Sequence, residues 1–388
     1  MLDLTRLLPG GFCSLLLADF GAEVLKVEDT GAGGYLRWSA PYVDADEPSV
    51  RSAPFLALNR GKRSIRIDLK QESGREVLLR LARDHDVLLE SFRPGVLDRL
   101  GVGYERLRDE NPRLVYCAVT GYGQTGPDRD RPGHDLNYLA RNGVLGLTGV
   151  RDGPPIAPAV QIADLGGGAL TAAFAIMAAL WERERSGEGQ IVDVAMTAAS
   201  QRWLAMVAAG VLAGAPAPGR GTLALAGGLA AYRVYACADG WVALAALEAK
   251  FWRALCDGLD RPDLLDRHLD PTVGEELEPI FAARTRAEWA AFADAHPCCL
   301  EPVLDLDDAL ERAPEAVVAV EQPGGGAVRL LGAPFRLSRT PADDTRPAPA
   351  LGEHTRAVLD ELGYAPDEVA ALEACGAVAG VPAEDGAR

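Results

Sequence analysis

Glu72-Ser73-Gly74-Arg75-Glu76-Val77-Leu78-Leu79-Arg80-Leu81-Ala82-Arg83-Asp84, followed after His85 by Asp86-Val87-Leu88-Leu89-Glu90, decides the fold class of this chain. In the first run Val77, Leu78, Leu81 and Ala82 recur at helical spacing, while Arg75, Glu76, Arg80 and Arg83 fill the other face. The second run reads as a short buried strand. Upstream, the segment Leu7 to Phe20 is closed by Gly21 and leads into a strand over Ala22 to Glu28; downstream, Arg113 to Thr120 is a further strand. Strand alternating with helix predicts a parallel sheet with crossover helices, an α/β domain in which ligands collect at the carboxyl ends of the strands. Glu90 to Gly95 and Thr120 to Gly126 lie at such ends. No GxGxxG opens the first unit, so a dinucleotide oxidoreductase is not expected.

The pattern changes at Asp164. Gly166, Gly167 and Gly168 lead into a long Ala-rich helix, Ala169 to Arg183, which is apolar nearly all round and therefore expected to be buried. Gln190 to Val194 gives another strand and Thr197 to Ala213 another helix. Gly214 to Gly228 is rich in Gly, Ala and Pro and has the composition of a linker or mobile loop, which places a domain boundary there. Beyond it, Tyr232 to Cys237 and Trp241 to Leu247 are two strands joined by Ala238-Asp239-Gly240, whose Asp-Gly pair signals a hairpin. Helices follow at Ala249 to Leu259, Glu275 to Ala283 and Arg286 to His296, so the second domain is small and α+β. In the tail, Val328 to Leu331 is a strand, Asp343 to Pro349 a polar connection and His354 to Leu362 a helix. The resulting division is a large domain over 1–200, a linker over 201–228, a small domain over 229–320 and a C-terminal segment over 321–388.

Composition narrows the function classes. A chain of 388 residues with 48% hydrophobic content fits two domains rather than one ordinary core. The net charge of −17 argues against nucleic acid, because phosphate backbones are bound by neutralisation with Lys and Arg. An anionic ligand approaching such a protein gains nothing from long-range steering, so a phosphate site has to be built from local cations. Asn59-Arg60-Gly61-Lys62-Arg63-Ser64-Ile65-Arg66 and Glu90-Ser91-Phe92-Arg93-Pro94-Gly95 are the two candidate clusters, each of which is also readable as a solvated surface patch. The longest apolar stretch, Ala169 to Trp181, is shorter than the roughly 20 residues that a membrane span needs, so no transmembrane helix is expected. Asp3 stands where a signal peptide needs basic residues, which predicts a cytoplasmic protein. The 7 cysteines form no CxxC pair and suit neither a zinc site nor a disulfide framework.

Two runs carry candidate chemistry: Pro132-Gly133-His134-Asp135-Leu136-Asn137-Tyr138 and Ala163-Asp164-Leu165-Gly166-Gly167-Gly168. A histidine and a carboxylate, each flanked by glycine, can move one proton between two faces of a carbon. Read singly, each has a structural explanation. His134 can precede a helix simply as a polar residue, Asp164 can serve as an N-cap, and Glu248, in Leu247-Glu248-Ala249-Lys250-Phe251-Trp252, can be a first-turn carboxylate favoured by the helix dipole.

Taken in order, these runs are similar to successive motifs of the family III CoA-transferase and α-methylacyl-CoA racemase superfamily. The resemblance extends over Leu2-Asp3-Leu4-Thr5-Arg6 with the following Pro-Gly, Asp19 to Glu28, the Asn59 to Ile65 cluster, Phe92-Arg93-Pro94-Gly95, Thr120-Gly121-Tyr122-Gly123-Gln124-Thr125-Gly126-Pro127, and the His134 and Asp164 runs. It implies a Rossmann-like large domain completed by the C-terminal segment, a small domain between, and two chains interlinked in an obligate homodimer. It places Met1 on the first strand, without several residues that family members carry upstream or with the start misassigned, and a frayed first strand is one result this allows. After Gly227-Gly228 the chain departs from the racemase pattern, carrying Leu229-Ala230-Ala231 where Pro and aromatics are common.

For the reaction, the resemblance implies an acyl-CoA substrate, with CoA entering as part of that substrate and neither a prosthetic group nor a metal required. In the transferase branch the aspartate matching Asp164 attacks the acyl-CoA and carries a covalent intermediate, and an aromatic residue replaces the histidine. In the racemase branch the aspartate is an acid/base opposed by the histidine matching His134, which a glutamate matching Glu248 orients. Gly133-His134-Asp135-Leu136-Asn137-Tyr138 and Leu247-Glu248-Ala249-Lys250-Phe251-Trp252 resemble the racemase branch. The expectation is therefore racemisation of 2-methylacyl-CoA thioesters through an enolate, with CoA transfer through Asp164 as the alternative. Arg6, Asn59, Lys62, Arg66 and Arg93 are the candidates for holding CoA, with Tyr138 lining the thioester end and the Gly166 and Gly167 amides, at a helix N-terminus, meeting the enolate oxygen.

Overall fold

The computed structural model describes residues 1–43, 52–323 and 325–382. The chain divides into two units, one formed by 1–142, 159–203 and 315–388 and the other by 143–158 and 204–314. Among the described residues the strands are β1 (Leu2–Asp3), β2 (Leu25–Glu28), β3 (Arg63–Ile67), β4 (Val87–Glu90), β5 (Val115–Thr120), β6 (Ile191–Ala195), β7 (Tyr232–Cys237), β8 (Gly240–Ala245), β9 (Leu300–Pro302), β10 (Val317–Gln322), β11 (Gly326–Leu331) and β12 (Val378–Ala379).

The first unit is built on a sheet in the order β12-β3-β2-β1-β4-β5-β6, in which β1 to β6 are parallel and β12 runs antiparallel on β3. The continuous apolar character of the central strands follows from burial on both faces, as in Val87-Leu88-Leu89-Glu90, every residue of which is buried. The helix Glu72–Arg83 lays Val77, Leu78, Leu81 and Ala82 on this sheet, where they share one core with Leu2, Ile65, Leu88, Leu107 and Leu359. β1 is short but not frayed: Leu2 pairs with Leu25 and Leu88, Asp3 pairs with Lys26 and Leu89, and both are fully buried. A central strand held on both sides stays in register despite its length. The order reverses direction at β1 and β4, and the crevice beyond their carboxyl ends is where a doubly wound sheet takes its ligand.

The Ala-rich helix differs from expectation in two respects. A wide, π-type helical segment, Ile162–Leu170, runs straight into Thr171–Ser186, and the whole ends at Gly187 in the left-handed region. The resulting 25-residue helix is, by length and composition alone, long and apolar enough to cross a membrane, which the shorter apolar run in the sequence was not. Nor is it buried all round. Ala172, Ile176, Ala179 and Arg183 face the protein, whereas Leu170, Phe174, Met177 and Trp181 form an exposed stripe, with Phe174 at 76% and Trp181 at 68% exposure. Small residues on one face and large ones on the other look equally apolar along the chain.

The single helix expected over Thr197 to Ala213 is three pieces, Met196–Gln201, Arg202–Leu204 and Ala205–Leu212, and the boundary between units falls after Trp203. Ala and Gly favour no break point, so composition alone does not reveal it. Residues 143–158 leave the first unit for the second, interrupting the stretch assigned to one domain, and 204–228 belong to the second unit rather than to a linker. Arg220 donates to the Gly153 carbonyl between these two pieces of the second unit.

In the second unit β7, β8 and β9 form an antiparallel sheet. Cys237 pairs with Gly240, so Ala238 and Asp239 form the turn and Gly240 opens β8, one position on from the Asp-Gly turn expected. Helices Ala249–Leu259, Val273–Ala282 and Arg286–Ala295 cover the sheet's core of Tyr235, Trp252, Phe281 and Trp289. Both indoles are satisfied, Trp252 Nε1 donating to Leu264 O at 2.7 Å and Trp289 Nε1 to Phe281 O at 2.9 Å.

After residue 315 the chain returns to the first unit with the hairpin β10–β11, the helix Thr355–Glu361, a second helix Pro366–Ala374, and β12, which places Val378 opposite Ile67 and Ala379 opposite Arg66. The architecture is thus mixed α/β, a large parallel-sheet unit and a small antiparallel one.

Candidate active site

Beyond β5 the chain passes through Gly121 to Pro132 and starts the helix Asp135–Arg141 with His134 as its extended N-cap. The main-chain N–H of His134 donates to Asn137 Oδ1 at 3.0 Å, so the turn is closed by backbone and by Asn137, while the residue itself is exposed. Asp135, the next residue, is buried and its Oδ1 accepts from the N–H of Ala163 at 2.6 Å and of Asp164 at 3.0 Å. One carboxylate therefore ties the start of the helix bearing His134 to the start of the helix bearing Asp164. Segments 28 and 29 positions apart in the chain are thus bridged by two hydrogen bonds to a single side chain.

Asp164 is half-buried, and its carboxyl is pushed up to about 6, first by burial, then by the negative charge of Asp135, with His134 pulling the other way. A carboxyl that titrates near neutrality is suited to act as acid and base in turn.

Tyr138 forms the floor. Its ring is buried, stands edge-on to Tyr122 with centroids 5.3 Å apart, and its hydroxyl donates to the Gly133 carbonyl. A Cβ on Gly121 or Gly133 would fall 2.5 or 2.7 Å from that ring, which accounts for glycine at both positions. Burial, then the Asp164 carboxylate, push the Tyr138 phenol up to about 12.

The glycine run takes a different place from the one expected. Asp164 is the third residue of Ile162–Leu170, not its N-cap, and Gly166 and Gly167 are the fifth and sixth residues of that helix. Their lack of a side chain serves packing: a Cβ on Gly166 would lie 1.8 Å from the Trp203 ring, one on Gly167 2.9 Å from the Met196 carbonyl, and one on Gly168 3.0 Å from the Met196 side chain.

The basic candidates separate into two groups. Arg6, beyond β1, pairs with Asp29 at 2.8 Å and sits over the rings of Tyr35 and Phe92 at 6.0 and 5.9 Å, so the carboxyl ends of β1 and β4 converge at the crevice. Arg93, the residue after Phe92, is exposed there. Asn59, Lys62 and Arg66, by contrast, are interior. Asn59 donates to Phe55 O at 3.0 Å and accepts from Lys62 Nζ at 2.9 Å. Arg66 donates to the carbonyls of Gly380 at 2.7 Å, Gly31 at 2.9 Å and Thr30, fastening the C-terminal strand and the loop after β2. Clustered cations in sequence read as a surface patch because spacing does not reveal which of them the sheet has swallowed. Glu248 lies exposed in the second unit, as the N-cap of Ala249–Leu259.

The profile of CoA-transferase family III matches residues 1–355. The chain belongs to that family. It is 36% identical over 385 residues to the α-methylacyl-CoA racemase of Mus musculus, covering 96% of this chain and 94% of that protein. It is 34% identical over 377 residues to the succinyl-CoA:glutarate CoA-transferase of Mus musculus, covering 93% of this chain and 85% of that one. Among solved structures, a CaiB/BaiF family protein from Brucella suis superposes with a TM-score of 0.81 at 31% identity, over 93% of this chain and 97% of its own. Family membership does not by itself separate racemisation from transfer, since relatives of both kinds match at similar identity.

Two residues of this family III chain have parts that sequence reasoning missed. Asp135 was visible only as a neighbour of His134; a carboxylate in the first turn of a helix is ordinarily explained by the dipole, and its grip on another segment needs the fold. Glu90, at the end of β4, is buried, accepts from the Phe92 N–H at 2.6 Å and the Tyr116 hydroxyl at 3.3 Å, and is pushed up to about 7 by burial. It anchors the turn that presents Phe92 and Arg93.

Proposed function

We propose that the protein is a racemase or epimerase of 2-methylacyl-CoA thioesters that works by two-base proton transfer at the α-carbon. The observation that carries this reading is an Asp164 carboxyl raised toward neutrality, in a segment whose main chain Asp135 ties to the start of the helix that His134 caps. A thioester acidifies its α-carbon enough for a positioned base to take the proton, and inversion requires a second group to return one on the opposite face. Asp164 and His134 exchange these roles according to the starting stereoisomer. Similarity over nearly the whole chain to a mouse α-methylacyl-CoA racemase supports the substrate class. Arg6 and Arg93 are the groups proposed to meet the phosphates of CoA at the crevice, Tyr138 lines the thioester end, and Glu248 is carried as the carboxylate that sets the imidazole tautomer. The reading includes a homodimer, for which the exposed stripe of Leu170, Phe174, Met177 and Trp181 supplies apolar surface of the kind that partners cover.

The competing reading, CoA transfer, uses Asp164 as a nucleophile and leaves the imidazole without a task. Incubating one stereoisomer of a 2-methylacyl-CoA with the wild-type protein in deuterated water decides between them. The racemase reading predicts α-deuterium in both product stereoisomers and loss of optical activity. Hydroxylamine trapping of an Asp164 acyl intermediate in the presence of an acid acceptor, without exchange, would establish transfer instead.

A further inference from the structure

Beneath the crevice the sheet encloses a group of charges that the proposed reaction does not use. Asp3 on β1, Lys26 on β2 and Lys62 just before β3 are all buried, which places two cations against one carboxylate. Lys62 Nζ donates to Ser14 Oγ at 2.7 Å, Asn59 Oδ1 at 2.9 Å and Gly11 O at 3.1 Å, and stands 3.4 Å from Asp3 Oδ2. Asp3 in turn accepts from the Thr5 N–H at 2.9 Å, the Thr5 hydroxyl at 2.6 Å and the Ser14 hydroxyl at 2.6 Å, while Lys26 Nζ donates to the Thr5 carbonyl at 2.8 Å. Every polar group of Thr5 is thus gripped from below, and the next residue is Arg6.

We propose that Lys62 is a positioning residue for acyl-CoA binding: from inside the sheet it holds Asp3, and through Asp3 the Thr5–Arg6 turn, at the crevice where the CoA phosphates are proposed to lie. The inference rests on that reading of the crevice but not on which reaction follows. It also answers how a chain of net charge −17 receives a polyanion. Two buried cations set against the single carboxylate of Asp3 offer a local positive field beneath the Thr5–Arg6 turn, and low-dielectric surroundings preserve it. The groups that face Lys62 are Asp3 from β1, Lys26 from β2, Cys13, Ser14 and the Gly11 carbonyl from the helix Leu8–Asp19, and Asn59 from the helix Ala53–Asn59. Burial holds the ammonium down to about 8, against the pull of Asp3. An anion bound above it favours the charged form, so binding takes up a proton near pH 8 and weakens as pH rises through that value.

Calorimetric titration with acetyl-CoA, whose sulfur does not ionise, tests this at pH 7 to 9.5 in buffers of different ionisation enthalpy, beside the kinetics of α-deuterium exchange. Wild-type protein is expected to take up protons on binding at pH 8 and to lose affinity about fivefold or more across the range. Lys62→Met is expected to raise KM by about tenfold at pH 7 with kcat within about twofold, and to flatten the pH dependence. A folded Lys62→Met protein with the wild-type KM and pH profile overturns the proposal, as does a fall in kcat and active fraction together with KM unchanged. Should that variant not fold, proton uptake by the wild type decides alone: its presence supports the role and its absence removes it. No binding of acetyl-CoA by wild-type protein would remove the crevice reading as well, which separates the two failures.

Discussion

Asp164→Ala is expected to lower net racemisation from either stereoisomer by about 10³-fold or more, and α-deuterium exchange by as much for the stereoisomer whose proton the carboxyl removes, with near-ultraviolet circular dichroism and thermal midpoint close to wild type. The carboxyl is one of the two groups that handle the proton, and inversion fails without it because it needs one group on each face, while the stereoisomer whose proton His134 removes retains wash-in. Stability should suffer little. Asp164 contributes its main-chain N–H to Asp135, and alanine keeps that bond, while a half-buried carboxyl raised to about 6 is less comfortable in the folded chain than in the unfolded one. The sign runs the same way: with its folded value above the ordinary 3.8, the group favours the folded state most at low pH and least once pH exceeds about 6, so near neutrality its loss relieves rather than adds strain. Racemisation at the wild-type rate in Asp164→Ala would remove Asp164 from the proton path.

The second large effect belongs to Asp135. Asp135→Ala deletes the acceptor for both the Ala163 and Asp164 amides and should lower kcat by about 10²-fold, because the loss lets the two proton-handling segments drift apart and a displacement near 1 Å costs that much. Asp135→Asn separates geometry from charge. Its amide oxygen can still accept from those N–H groups, but the negative charge that helps to raise Asp164 is gone, so the Asp164 carboxyl ionises at lower pH. In the direction that uses Asp164 as base, the acidic limb of the kcat/KM profile, expected near pH 6 in wild type, moves to lower pH. A limb that stays in place would show that Asp135 does not act on Asp164 electrostatically.

How far the sequence carries this account depends on which forces set each feature. Parallel strands and crossover helices were legible because burial on two faces leaves unbroken apolar runs such as Val87-Leu88-Leu89, and the amphipathic Glu72–Arg83 stands out between them. His134 and Asp164 were legible through neighbouring glycines and through resemblance. What the sequence could not show depends on partners distant along the chain. Among the described residues β9 has three residues and pairs with β8 alone, and β12 has two and pairs with β3 alone. Asp135 becomes informative only when Ala163 and Asp164 arrive beside it. Lys62 and Arg66 looked like phosphate ligands because charge in sequence carries no depth, whereas in the fold Lys62 Nζ donates to Ser14 and Asn59 and the terminal nitrogens of Arg66 to main-chain carbonyls. The helix over 162–186 shows the same limit in reverse, since an all-apolar run concealed one packed and one open face.

The central claim is that the imidazole of His134 and the carboxyl of Asp164 address opposite faces of one α-carbon. His134→Ala assayed for solvent exchange with each stereoisomer of a 2-methylacyl-CoA separately, beside Asp164→Ala, tests it most directly. The account predicts that His134→Ala abolishes net racemisation and slows exchange by about 10²–10⁴-fold for the stereoisomer whose proton the imidazole removes, while the other stereoisomer retains wash-in by Asp164. Equal exchange of both stereoisomers in His134→Ala, at the wild-type rate, would contradict it.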